Sequence, residues 1–342
     1  MTRRLAALVA LLALAAVAGC GGPGPVWVRA DEVTLTFAGD VHFEGRADQL
    51  LDDPATAFGP AAAQLAGADL TFVNLETPIT RRGTPEPKRY LFRARDAAVS
   101  ALTAAGVDAV TLANNHTLDY GREGLADTIA AARRGGLGTV GAGRDATEAF
   151  RPWRREVRGV RIAVLGFSQV DELAQQWAAG PGRAGIAMAF PTGPVLAAVR
   201  AARADSDVVV VLVHWGVEGD SCPDRRQRDF ARTLIAAGAD VIVGAHVHVL
   251  QGAGHSGAAY VAYGLGNFLW YSAGLFPPYS SEAGMLRLTL RGRTVVRSDF
   301  VPTVVSATGR PALVPGWRAG LAENNFAALR ACAGLDDPGA LF

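Results

Sequence analysis

Val208-Val209-Val210-Val211-Leu212-Val213-His214-Trp215-Gly216 decides the fold. Six apolar residues in a row, five of them valine, do not suit a strand with one wet face, which would alternate. They read as a strand covered on both faces, the pattern of a layered α/β protein. A helical stretch, Arg225–Ala237, follows and is closed by Gly238 before the next apolar run, Val241-Ile242-Val243. The alternation extends upstream. Residues 33–38, 70–73, 109–112 and 162–167 read as strands, and residues 54–66, 95–105, 124–134 and 195–204 as helices. Beyond His248 the character changes. Residues 260–263, 285–290 and 295–300 read as added C-terminal β structure, and 321–332 as a short helix.

The strand ends carry the chemistry. Five of the six histidines fall in Gly39-Asp40-Val41-His42, Asn114-Asn115-His116, His214-Trp215-Gly216 and His246-Val247-His248, and Asn74-Leu75-Glu76 closes another strand. In a layered sheet the carboxyl ends of strands converge on one edge, where ligands bind. Residues two apart in an extended stretch point the same way, so Asp40/His42 and His246/His248 can each present two side chains to one cavity. Any one histidine alone reads as a core or surface residue. Together, imidazoles, carboxylates and an amide oxygen suit a two-metal site of Zn, Mn or Fe.

The composition agrees with a large globular core: 342 residues, 50% hydrophobic and 19% charged. A net charge of +1 argues against nucleic acid as a partner. Arg3 and Arg4 precede an apolar stretch over residues 5–18, the layout of an export signal. It ends at Val17-Ala18-Gly19-Cys20, which resembles the lipobox of bacterial lipoproteins, with an ordinary cleaved signal as the alternative. The expected division is residues 1–20 as signal, 21–30 as tether, 31–305 as one domain and 306–342 as a C-terminal extension. The expected location is the outer face of the cell membrane, through lipid on Cys20. Outside the cytoplasm Cys222 and Cys332 could form a disulfide, two free buried thiols being the alternative.

Longer segments carry a resemblance. They are Phe37-Ala38-Gly39-Asp40-Val41, Asn74-Leu75-Glu76-Thr77-Pro78, the ten residues from Leu112 to Gly121, His214-Trp215-Gly216-Val217-Glu218, the eleven from Gly238 to His248, and Gly264-Leu265-Gly266-Asn267-Phe268. Over roughly residues 33–270 the chain resembles the CapA (poly-γ-glutamate capsule biosynthesis) family and, more distantly, the calcineurin-like metallophosphoesterase superfamily. The resemblance implies a metallophosphoesterase-like fold with two divalent metal ions. One would be held by Asp40, His42 and His248, the other by Asn115, His214 and His246, with Glu76 bridging where phosphoesterases usually carry aspartate. His116 would protonate the leaving oxygen or stabilise the transferring group. CapA chains commonly carry an aliphatic residue where His42 stands.

Around these residues, Asp119 and Tyr120 would orient the His116 loop, and Glu218 would back the ligands or cap the helix after Pro223. Gly266-Asn267-Phe268 would form a tight turn beneath the site. Arg46, Lys88 and Arg93 are candidates for binding phosphate or carboxylate groups of the substrate, or else part of a solvated face. His255 reads as an exposed loop residue. Two functions follow as expectations. One is a lipid-anchored, metal-dependent hydrolase of a phosphoester or of the polyglutamate amide. The other is a non-catalytic factor that assembles, tethers or exports the polymer beside capsule-synthesis membrane proteins.

Overall fold

The structure is a computed structural model that describes residues 32–271 and 280–337. The expected signal, Cys20 and the whole of the expected tether lie outside the described residues, among which no helix is long and apolar enough to cross a membrane.

The strand that opened the sequence argument, Val208–His214, lies in the middle of a six-stranded sheet, parallel to Val160–Ser168 on one side and Val241–Ala245 on the other. Its valines divide by parity, as the period of two requires. Val208, Val210 and Leu212 belong to the core between the sheets, with Val33, Leu35, Phe37 and Phe72. Val209, Val211 and Val213 pack outward with Val195 and Val199 of helix Thr192–Asp205, and with Phe230 and Leu234 of helix Arg225–Ala237. Both faces are dry because another sheet covers one and helices cover the other. Burial of each such valine contributes about 1.5–3 kcal/mol.

The facing sheet has eight strands. Glu32–Val41, Leu70–Leu75, Ala109–Thr111 and Gly138–Val140 run parallel, and Glu282–Arg291, Thr294–Val305 and Pro311–Leu313 continue antiparallel on the other side of Glu32–Val41. Asn267–Leu269 pairs with the carboxyl end of Glu32–Val41. Helices Ala97–Ala104 and Gly121–Arg134 cover the outer face through Val99, Leu102 and Leu125. The result is a helix–sheet–sheet–helix sandwich, the expected layered α/β fold with C-terminal β structure added.

Helix Arg225–Ala237 has its expected ends. Asp224 and Gln227 form a reciprocal capping box, and Gly238 takes the left-handed conformation, φ 113°. The cap is therefore Asp224, not Glu218. The expected helix at 54–66 is instead a 3-10 turn, Pro54–Thr56, and a short helix, Ala61–Leu65, because Gly59 and Pro60 interrupt it. The C-terminal residues join the body. Phe326 stacks on Phe300 at 3.9 Å, and Asp336 exchanges backbone hydrogen bonds with His255. His255 is thus not an exposed loop residue; it is buried within strand Leu250–Ser256. Cys222 and Cys332 are bonded, with Cα atoms 5.6 Å apart.

Candidate functional site

Register places the site. Asp40 stands beside Asn74, and Asn74 beside Thr111, at the carboxyl ends of the first sheet. In the second sheet His214 stands between Ser168 and Ala245. The two sheets therefore deliver Asp40, Glu76, Asn115, His214, His246 and His248 to one cleft. Gly39 makes this possible: a Cβ there would lie 1.9 Å from the Gly266 carbonyl, which accepts the Asp40 amide at 3.0 Å. His246 and His248 both adopt positive φ, 92° and 57°, an unusual backbone for non-glycine residues and typical of functional sites.

Among the described residues, two groups of donors each have their atoms within 4.8 Å of one another: Asp40, Glu76 and His214, and Glu76, His246 and His248. Glu76 is common to both, the place of a bridging ligand. His214 falls in the group with Asp40 and His246 in the group with His248, while His248 Nδ1 also lies 3.2 Å from Asp40 Oδ2, the pairing the resemblance implies. Asn115 Oδ1 joins them, 2.8 Å from His214 Nε2. All are buried. Asn74, to which sequence reasoning gave no role, is the hub: its amide nitrogen reaches Asp40 (2.8 Å), Glu76 (3.3 Å) and His214 Nδ1 (3.3 Å). Asn114 holds Asn74 in turn, at 3.0 Å. Both belong to quoted motifs, but a buried amide and a surface one read alike in sequence.

The electrostatics ask for a cation. Burial raises the Glu76 carboxyl well above the ordinary carboxylate range, and the Asp40 charge adds to this. Burial would lower His248, but Glu76, Asp40 and Glu218 raise it to about 9. Burial takes His214 down to about 3. Among the described residues, Glu76 Oε1 and His246 Nδ1 are buried without a hydrogen-bond partner. Two buried carboxylates, three imidazoles, an amide oxygen and two orphaned donor atoms fit a divalent metal ion.

Beside the donors lies a buried histidine–aspartate pair. His116 Nδ1 is 2.7 Å from Asp119 Oδ2, which also accepts the Phe92 amide at 2.7 Å. Lys88 Nζ contacts Asp119 Oδ1 (2.8 Å), the Asn115 carbonyl and Glu172 (3.3 Å), over the Trp177 ring at 4.9 Å. Burial pushes the Asp119 carboxyl up to about 7, against the pull of Lys88. Burial, then Lys88, hold His116 well below the usual imidazole range. Glu172 and Trp177 carried no sequence signal; they arrive 57 or more residues downstream of Asn115, Glu172 just before and Trp177 at the end of the short helix Ala174–Trp177.

The remaining candidates separate. Lys88 is committed to protein partners, its side chain only 2% exposed. The Arg93 guanidinium lies 3.4 Å over the Tyr120 ring and lines a neighbouring cavity of about 560 Å³ with Glu44, Asp48 and Arg81. Arg46 is at the surface, donating to the Ala307 carbonyl at 2.8 Å. Glu218 Oε1 lies 3.9 Å from His248 Nε2. Asn267 Oδ1 meets His248 Nδ1 at 2.8 Å, from a strand and not a tight turn. His42 is not in either donor group.

Residues 34–272 match the family described as bacterial capsule synthesis protein PGA_cap. The chain is 31% identical over 286 residues to the capsule biosynthesis protein CapA of Bacillus anthracis, covering 81% of this chain and 69% of that one. It is 31% identical over 245 residues to the PGA biosynthesis protein CapA of Bacillus subtilis, covering 70% of this chain and 64% of that one. It thus spans about two thirds of the length of these relatives. Among solved structures, a novel phosphatase from Mycoplasma pneumoniae matches 80% of this chain and 94% of its own, at 15% identity and a TM-score of 0.47.

Proposed function

The chain belongs to the bacterial capsule synthesis protein PGA_cap family, and from that premise we propose that it is a dinuclear-metal-dependent hydrolase of the cell envelope. Its substrate would be a phosphoester or the amide of an anionic glutamate polymer. The observation that carries this reading is the convergence of buried metal donors, two of them orphaned, on a histidine held by a buried aspartate.

Asp40, Glu76, Asn115, His214, His246 and His248 would hold the metal. Bound there, it would supply Lewis-acid polarisation of the scissile group and a nucleophile at neutral pH. The chain does the rest. Asp119 fixes the His116 ring through Nδ1, so Nε2 faces the reacting group and can pass a proton to the leaving oxygen or nitrogen. Lys88 and the Phe92 amide hold Asp119, so the carboxylate cannot swing away. An anionic substrate beside Nε2 adds the charge that lets a buried, ordinarily neutral imidazole take up that proton. Phe92 and Trp270 wall the cleft and limit water.

The exposed Cys222–Cys332 bond supports an oxidising location, in keeping with export and a lipid anchor on Cys20. Capsule-synthesis membrane proteins are the partners that such a location would bring within reach. The test is metal content per chain by elemental mass spectrometry on soluble protein starting after Pro25, then assay against phosphoesters and γ-glutamyl amides. About two equivalents of metal with turnover supports the hydrolase. Metal without turnover leaves a polymer-assembly or tethering role, and no metal after reconstitution with Mn or Zn overturns the enzyme reading.

A further inference from the structure

His42 is the expected donor that the fold turns away from the others. The Glu44 amide points at its Nδ1 from 2.9 Å, and the Tyr271 amide points at its Nε2 from 3.4 Å. A neutral imidazole has one lone pair to give. Two backbone amides already compete for it, the Glu44 amide at the shorter distance, and a metal could claim it only by stranding both, at the cost of unsatisfied donors. The ring faces are engaged as well. His42 stacks on Phe92 (4.4 Å, 16° between planes), and the other side of Phe92 stacks on His116 (4.0 Å, 20°). Three near-parallel rings therefore run from residue 42 to the proposed proton donor. Trp270 closes on the His42 edge at 4.0 Å.

We propose that His42 is a positioning residue that orients His116 through Phe92, and that it is not a metal ligand. One hydrogen bond, Nδ1 to Asp119, fixes an edge of the His116 ring but leaves its plane free to tilt. Face contact with Phe92 removes that freedom only if Phe92 is backed, and His42 with Trp270 backs it. A flat ring at position 42 does this where an aliphatic side chain would leave Phe92 a looser partner. The positioning half rests on His116 as the proton donor of the proposed hydrolase; the metal half does not.

The test uses soluble protein starting after Pro25 with three variants, His42→Phe, His42→Leu and Phe92→Leu, each checked for native circular dichroism and melting. Metal equivalents are counted after loading with Mn or Zn. The His116 imidazole is followed by nitrogen NMR in the zinc-loaded and metal-free states. Kinetics are measured on whichever ester or amide the parent protein turns over. All three variants should keep the parent's metal equivalents. His42→Phe, which keeps the flat ring but leaves the Glu44 amide without its acceptor, should keep at least about tenfold more kcat than His42→Leu. The two leucine variants should lose about ten- to a hundredfold in kcat at nearly constant KM, with shifted and broadened His116 signals. Loss of a metal equivalent in both His42 variants would overturn the proposal by making His42 a ligand. Unchanged His116 signals in both leucine variants would overturn the positioning role. If the parent protein hydrolyses nothing, the proposed function fails by itself, and metal count and NMR still decide the role of His42. Should His42→Leu not fold, Phe92→Leu carries the same positioning test with His42 intact.

Discussion

His116 Nδ1 lies 2.7 Å from Asp119 Oδ2, and that aspartate is almost wholly buried with Lys88 on its second oxygen. The pair belongs to neither donor group, so in the proposed hydrolase proton transfer and metal holding would fall to different residues and be separately removable.

His116→Ala should therefore keep the metal and lose about 10²–10⁴-fold in kcat. Asp119→Asn, which leaves the ring but not its anchor, should lose about 10–100-fold. Elemental analysis beside steady-state kinetics checks both. If His116→Ala strips the metal, its role as acid is wrong.

His246→Ala or Glu76→Gln should remove metal and activity together, because each takes a donor from the Glu76-centred groups. A fully loaded Glu76→Gln protein would remove Glu76 from its bridging place.

His248 sets a pH dependence whose sign can be worked out. Its pKa in the folded, metal-free protein, about 9, lies above the ordinary 6.5. The charged ring therefore stabilises the metal-free fold fully below about pH 6.5, and that contribution is lost as pH rises toward 9. A metal needs the neutral ring, so binding must expel its proton, and affinity should rise from pH 7 to 9. Titration calorimetry in two buffers of different ionisation heat should record proton release at pH 7.5 that fades above 9. Proton uptake would contradict the assignment.

Reducing or replacing the Cys222–Cys332 bond should lower stability by about 2–5 kcal/mol, since it closes a separation of 110 residues. Melting of Cys222→Ser/Cys332→Ser against the parent protein measures this; an unchanged melting point would mean that the bond closes a loop already ordered.

Gly39→Ala should cost about 2–3 kcal/mol and weaken metal binding, because its Cβ would displace the Gly266 carbonyl and with it the Asp40 strand end. Gly320→Ala, at a glycine that like Gly39 has no positive φ and around which nothing stands within 4 Å, is the control without a clash.

Much of this architecture was legible locally. The unbroken run at 208–213 requires cover on both faces, because period-two side chains point both ways whatever the rest of the chain does. The ends of helix Arg225–Ala237 were legible because capping is chemistry between neighbours. The order of strand-end motifs was enough to nominate Asp40, Glu76, Asn115, His214, His246 and His248, since a layered sheet sends all its carboxyl ends to one edge.

What the sequence left open is set by partners far along the chain. Lys88 reads as a surface cation until residues 115–119 and 172–177 enclose it. His255 reads as a loop residue until Asp336 pairs with its backbone. His42 reads as a donor by its spacing from Asp40, until Phe92, Trp270 and the Tyr271 amide surround its ring. Sequence by itself determined which faces must be buried and which strand ends carry polar groups, because pleat and cap are properties of consecutive residues. Only the tertiary structure decided which of the histidine rings gather at the donor cluster and which are walled by aromatic faces, because that depends on residues as distant from His42 as Phe92 and Trp270 filling the adjoining space.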